Sequence, residues 1–161
     1  MLGKEDDKTM RIALASDHAG YPLKQHLLDY LRGQGHEVLD LGVDTPDVPS
    51  DYPDAAEAVA RAVLDGRAER GILACGSGVG ACIAATKFPG IYGAICHDTY
   101  SAHQGVEHDN MNVLCVGARI IGPSLAEELV DAFIQARFSG EERHERRFGK
   151  VQAIERRAGG Q

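Results

Sequence analysis

Short apolar runs alternate along this chain with stretches whose apolar positions recur every three to four residues. Arg11–Ala15 predicts a first strand. Pro22–Leu31 predicts a helix: Leu23, Leu27, Leu28 and Leu31 share one face, and Pro22 suits a first helical turn. Val38–Leu41 is a short second strand, and Gly42–Pro53 is a loop rich in Asp and Pro. Ala55–Leu64 is an Ala/Val helix. Gly71–Ala74 is a third strand. It runs into the turn Cys75-Gly76-Ser77-Gly78-Val79-Gly80, and Ala81–Thr86 opens a helix behind it. Strand Tyr92–Cys96, a helix from Thr99 to about Glu107, and strand Asn112–Val116 follow. Pro123–Phe138 is a helix with Leu125, Leu129, Ala132 and Phe133 at core spacing, and Glu141–Arg157 is a last, heavily charged helix.

Strands separated by helices predict one α/β domain over residues 11–157. Its core is a five-stranded parallel sheet, doubly wound and Rossmann-like, with helices on both faces. Residues 1–10 read as a disordered or extended tail, and Met1–Thr9 lacks the apolar stretch of a signal peptide. In such sheets ligands bind beyond the carboxyl ends of the strands, near the reversal of strand order. That rule selects Ser16-Asp17-His18, Cys75–Gly80, His97-Asp98 and Gly117-Ala118-Arg119.

Composition narrows the classes. The 161 residues suffice for one sizeable core, and 43% hydrophobic with 25% charged residues is ordinary for a globular protein. No apolar run approaches the roughly 18 residues of a membrane span. A formal charge of −7 argues against nucleic acid or an anionic membrane as partner, so a bound anion requires a local cationic pocket. The four cysteines, Cys75, Cys82, Cys96 and Cys115, form no CxxC pair. That argues against a zinc knuckle or a disulfide framework and for a reducing cytoplasm.

The cysteine turn carries the most chemistry. Glycines leave backbone N–H groups open to an anion, and a helix start favours thiolate over thiol. Cys75 therefore reads as a reactive group, whereas Cys82, Cys96 and Cys115 lie inside apolar runs and read as core. Gly76-x-Gly78-x-Gly80 has the wrong spacing for a dinucleotide fingerprint and suits a compact anion cradle or a plain tight turn. Asp17-His18 offers hydroxyl binding or proton movement, with a helix N-cap by Asp17 equally open. His103, His108, Asp109, Asn110 and Asn112 suit a helix C-terminal cap. His103 and His108, five apart, do not share a helix face as metal ligands would. Arg143 and Arg147, four apart, do share a face and suit a phosphate, although interleaved glutamates also fit a solvated helix.

Six ordered motifs taken together resemble the B-type ribose-5-phosphate isomerases, the family that includes the galactose-6-phosphate isomerase subunits. They are Ser16-Asp17-His18-Ala19-Gly20, Asp51-Tyr52-Pro53, Cys75–Gly80, His108 with Asn112-Val113-Leu114, Gly117-Ala118-Arg119, and Arg143-His144 with Arg147. The resemblance runs from about Arg11 to Ile154. It implies metal- and cofactor-independent aldose–ketose isomerisation in a homodimer or homotetramer whose sites are shared between subunits. It makes Cys75 the base that moves a proton between C1 and C2, and His108 the proton donor in ring opening. Asp17 would bind sugar hydroxyls. The N–H groups of Gly76, Ser77, Gly78, Val79 and Gly80 would hold the enediolate oxygen. His18, Tyr52, Asp109, Arg119, Arg143 and Arg147 complete the implied substrate contacts, the arginines on the phosphate. Two departures stand out. The family's His-Asn-Asp-x-Asn is here His108-Asp109-Asn110-Met111-Asn112, and an ionised Asp109 only accepts hydrogen bonds. Ala81 stands where some members carry a glutamate base, so the chain is similar to the cysteine-dependent type.

The expected reaction interconverts ribose 5-phosphate and ribulose 5-phosphate. A six-carbon sugar phosphate such as galactose or allose 6-phosphate, or a free sugar, is the alternative substrate. A Rossmann-type nucleotide or sugar-phosphate binding module is the non-enzymatic alternative.

Overall fold

The computed structural model describes residues 9–159, so most of the expected N-terminal tail lies outside the described residues. Met10, expected within that tail, instead belongs to the core. It is 6% exposed, and its N–H donates to His36 Nδ1 at 3.1 Å.

Eleven elements follow in alternation: β1 (Arg11–Ser16), α1 (Tyr21–Gly33), β2 (Glu37–Gly42), α2 (Tyr52–Leu64), β3 (Arg70–Cys75), α3 (Val79–Ala85), β4 (Gly93–Ile95), α4 (Thr99–Asp109), β5 (Val113–Gly117), α5 (Pro123–Gln135) and α6 (Glu142–Ala158). All strand pairs are parallel, in the order β2-β1-β3-β5-β4. The expected doubly wound sheet is therefore present. Strand order reverses between β1 and β3, where a crevice opens at the carboxyl ends of the strands. Ser16 pairs with Ala74 there, which puts Asp17 and Cys75 at the same level of neighbouring strand ends.

The two sheet faces are filled differently. Ile12, Leu14, Ile72, Leu114 and Val116 face α1 and α5, with Leu27, Leu31, Leu129 and Phe133 as the large partners. Each such side chain contributes about 1.5–3 kcal/mol on burial. The other face is built of small residues: Ala13 and Ala15 on the sheet, Ala55, Ala56, Val59 and Ala60 on α2. Small side chains let α2 sit close to the sheet. A Cβ at Gly71 would lie 2.3 Å from Val59 Cγ1.

Two helix bounds differ from expectation. α2 starts at Tyr52 rather than Ala55, with Pro53 in its first turn, where a missing N–H costs nothing. α5 ends at Gln135 rather than Phe138. The chain leaves helical geometry at Ala136, and half-buried Arg70 takes the carbonyls of Phe133, Ile134 and Ala136. This end-cap comes from a strand 63 residues away and leaves no local sign. α6 rests on the molecule through few contacts. His144 is its one buried residue, Phe148 meets the edge of Tyr92 at 4.9 Å, and Glu155 accepts from Gly90 N–H and the Tyr92 hydroxyl.

Candidate active site

The crevice is built from backbone outward. β3 ends in Cys75, whose side chain is 5% exposed and sits on the small-residue face. The turn after it closes on the sulfur: Gly78 N–H donates to Cys75 Sγ at 3.2 Å. Gly78 has φ +84, a conformation that side chains with a Cβ rarely adopt, and an added Cβ would also approach Val116 and Gly117 backbone at 3.1–3.3 Å. Val79 N–H is taken by Ser77 Oγ at 3.2 Å. Two of the five amides expected to hold an oxyanion thus have partners inside the turn. Those of Gly76, Ser77 and Gly80 have no protein partner among the described residues.

Arg119 is tied to the same turn. Ala118 N–H donates to the Cys75 carbonyl at 2.8 Å and Arg119 N–H to the Gly76 carbonyl at 3.0 Å. The guanidinium lies over Gly76, so a Cβ there would be 3.4 Å from Nη1. The neighbouring β4 end contributes His97, whose Nε2 accepts from Gly117 N–H at 3.0 Å. Tyr52, 44% exposed, lays its ring across Gly80, where a Cβ would come within 2.7 Å of ring atoms.

On the β1 side, Asp17 is buried and its Oδ1 accepts from Gly20 N–H at 2.9 Å. The helix cap itself is Gly20, so Asp17 closes the entry turn instead of capping α1 directly. Gly20 is required by closeness: a Cβ would lie 2.2 Å from the Ala74 carbonyl oxygen. His18 is half-buried beside the Asp/Pro loop, bonded to Ser50.

The remaining expected residues lie elsewhere. α4 starts at the crevice edge and runs back across the sheet. His108 and Asp109 therefore end up at the opposite edge, one helix of 11 residues away, about 16 Å. Their surroundings come from α6. The His108 ring stacks on His144 at 4.0 Å between centroids, and its Nδ1 meets Gln104 Nε2 at 2.9 Å. Burial, then the neighbouring His108 and Arg143, push the His144 pKa below the usual value. Arg143 and Arg147 are exposed on the same helix. The cap reading holds for Asn110, left-handed at φ 54. Asn112 bridges Tyr92 N–H and the Gly90 carbonyl. His103 is engaged by Glu107 at 3.0 Å, and no cluster of three or more metal-ligating side chains occurs among the described residues. One chain thus assembles Cys75, Gly76–Gly80, Asp17, His18, Tyr52 and Arg119, and holds His108, Asp109, Arg143 and Arg147 apart from them.

One cysteine departs from its expected core role. Cys82 is half-buried on α3, and its pKa is brought down to about 7, first by a hydrogen bond from the Cys115 thiol, against burial. Cys96 is buried and pushed up to about 11, mainly by desolvation. Cys115 is buried and raised as the partner of Cys82. Sequence reasoning also missed Ser50, in a loop without periodicity and 32 residues from its partner His18.

A doubly wound sheet whose reversal point carries a thiol, an amide nest and a guanidinium defines a binder of small anionic metabolites. The chain belongs to the Ribose/Galactose Isomerase family, whose model matches residues 12–151. It is 44% identical to the D-erythrulose-4-phosphate isomerase of Pectobacterium atrosepticum, over 81% of this chain and 86% of that one. The solved ribose-5-phosphate isomerase B of Clostridium thermocellum superposes with a TM-score of 0.89 at 43% identity, covering 92% of this chain and 99% of that one. The Mycoplasma genitalium ribose-5-phosphate isomerase B with bound ribulose-5-phosphate gives 0.84 at 39% identity, over 91% and 96%. The chain is accordingly a sugar-phosphate isomerase by family.

Proposed function

We propose that this chain interconverts ribose 5-phosphate and ribulose 5-phosphate through an enediolate, in active sites built across two copies. The observation that carries the reading is the sulfur of Cys75 held by the Gly78 amide beside three open amides, with Arg119 over the turn. Proton abstraction next to a carbonyl needs a base and donors aimed at the oxyanion it creates, and both converge here. Cys75 takes the proton from C2 of the open-chain aldose and returns it to C1, while the hydroxyl proton passes from O2 to O1. The amides of Gly76, Ser77 and Gly80 hold the oxygen that becomes negative. Asp17 accepts from sugar hydroxyls.

A second copy supplies the rest. His108 protonates the ring oxygen, Asp109 lies beside it, and Arg143 and Arg147 join Arg119 and His18 on the phosphate. Exposed apolar side chains support this pairing. Val79 and Ile83 on α3, Tyr100 at the start of α4 and Ile120 beside Arg119 are exposed. Val151 and Ile154 of α6 line a cavity of about 730 Å³ against β4. Among the described residues no helix is long and apolar enough to cross a membrane. The thiols fit a reducing compartment, and we place the enzyme in the cytoplasm.

Replacing Cys75 with Ala tests the base. Turnover of ribose 5-phosphate falls about 10²–10⁴-fold with KM little changed, read by direct assay of ribulose 5-phosphate. Wild-type rates in the variant would reject the assignment. A four-carbon substrate is the second reading, supported by the similarity to D-erythrulose-4-phosphate isomerase and by the carboxylate of Asp109 beside His108. Comparing kcat/KM for ribose 5-phosphate, erythrulose 4-phosphate and allose 6-phosphate decides among chain lengths.

A further inference from the structure

The loop between β2 and α2 is held at both ends by the first βα unit. At its start, Lys24 of α1, 1% exposed, donates from Nζ to the carbonyls of Leu41 and Val43 and pairs with Asp40 at 2.8 Å. Gly42, at φ +80, brings the chain so close to β1 that a Cβ would lie 2.7 Å from the Ser16 carbonyl oxygen. At its end, Ser50 and His18 meet through three hydrogen-bond contacts, the longest between Ser50 Oγ and His18 Nδ1 at 3.4 Å. His18 N–H donates to Ser50 Oγ at 2.9 Å, and Ser50 N–H donates to His18 Nδ1 at 3.0 Å.

The second bond has a chemical consequence. A backbone N–H only donates, so Nδ1 must present its lone pair. The ring proton then sits on Nε2, the nitrogen facing away from the loop. The partner of one ring nitrogen sets what the other can do.

We infer that Ser50 is a positioning residue for substrate binding: its paired hydrogen bonds hold His18 as the Nε2–H tautomer, so that a neutral imidazole donates to a substrate oxygen. This deepens the reading above, in which His18 contacts the sugar phosphate. A donor at this place complements a phosphate or hydroxyl oxygen. The opposite tautomer would present a lone pair and repel it. Ser50 touches no substrate itself. It acts through His18 and through the loop, which leads directly into Tyr52.

The test combines nitrogen NMR with kinetics. Enzyme labelled with ¹⁵N-histidine is studied at pH 8 without substrate, and the His18 signals are assigned by their loss in His18→Gln. In wild type, Nε2 carries the proton. In Ser50→Ala the residue-50 N–H remains, but the loop loses its anchor on the His18 amide. The His18 nitrogens then shift toward a tautomer mixture, KM rises about three- to tenfold, and kcat stays within about twofold. Ser50→Thr, which keeps the hydroxyl, restores both.

A proton on Nδ1 in the wild type would overturn the proposal. So would a Ser50→Ala variant with unchanged nitrogen shifts, or one with altered shifts and wild-type KM. Should the wild type turn over no sugar phosphate, the functional reading fails on its own. The nitrogen shifts, measured without substrate, would still judge the role of Ser50.

Discussion

The two edges of the sheet carry the two halves of the expected site in opposite styles. At the carboxyl edge the chemistry is set by backbone: a left-handed glycine, its amide turned toward a sulfur, and the Ala118-Arg119 segment hung from two carbonyls of the same turn. At the opposite edge it is set by side chains on helix surfaces: Asp109, Arg143 and Arg147 are exposed, His108 is half-buried, and His144 is buried among them. The first half needs nothing beyond its own chain to take shape. The second is a set of polar groups presented by two helices, α4 and α6.

Mixing two inactive variants is the strongest way to break this comparison. Cys75→Ala and His108→Gln copies, each nearly inactive alone, recover about a quarter of wild-type activity when combined equally, since half of randomly formed dimers hold one intact site. Coexpression with two affinity tags isolates the mixed species, whose one intact site of two gives about half of wild-type activity. No recovery would mean that both halves act within one chain.

Smaller effects separate the rigid edge from the adaptable one. Gly20→Ala forces a methyl against the Ala74 carbonyl and lowers stability by about 1–3 kcal/mol. Gly149→Ala, mid-α6 with nothing within 4 Å of the new methyl, raises stability by up to about 1 kcal/mol. Urea unfolding of both variants compares them, and equal responses would remove the distinction.

Acid probes the buried histidine of α6. His144 binds protons less readily folded than unfolded, chiefly through burial and then through His108 and Arg143. As pH drops below about 6.5, the unfolded state takes up the proton first and stability falls. His144→Gln flattens that fall, seen as a smaller change in urea midpoint between pH 7.5 and 5.5. An unchanged slope would place the sensitivity elsewhere.

Much of this was legible in the residues. The buried runs of β1, β3 and β5 are continuous because both faces are covered, which gives a strong strand signal. The cysteine turn announced itself by glycine spacing. The end of α5 was not legible, because Arg70 caps it from a distant strand. Cys82 misled because an apolar run does not tell which helix positions turn sideways: Ala81 and Ala85 face inward while Cys82 is half-covered. The separation of His108 from Cys75 follows from strand order and helix direction, which motif order alone does not convey.

The amides of Ala118 and Arg119 fasten the backbone that bears the guanidinium to the carbonyls of Cys75 and Gly76. Sulfur and cation therefore travel as one body. The spacing between the thiol and the Arg119 backbone is thereby gauged against a ruler of two main-chain contacts.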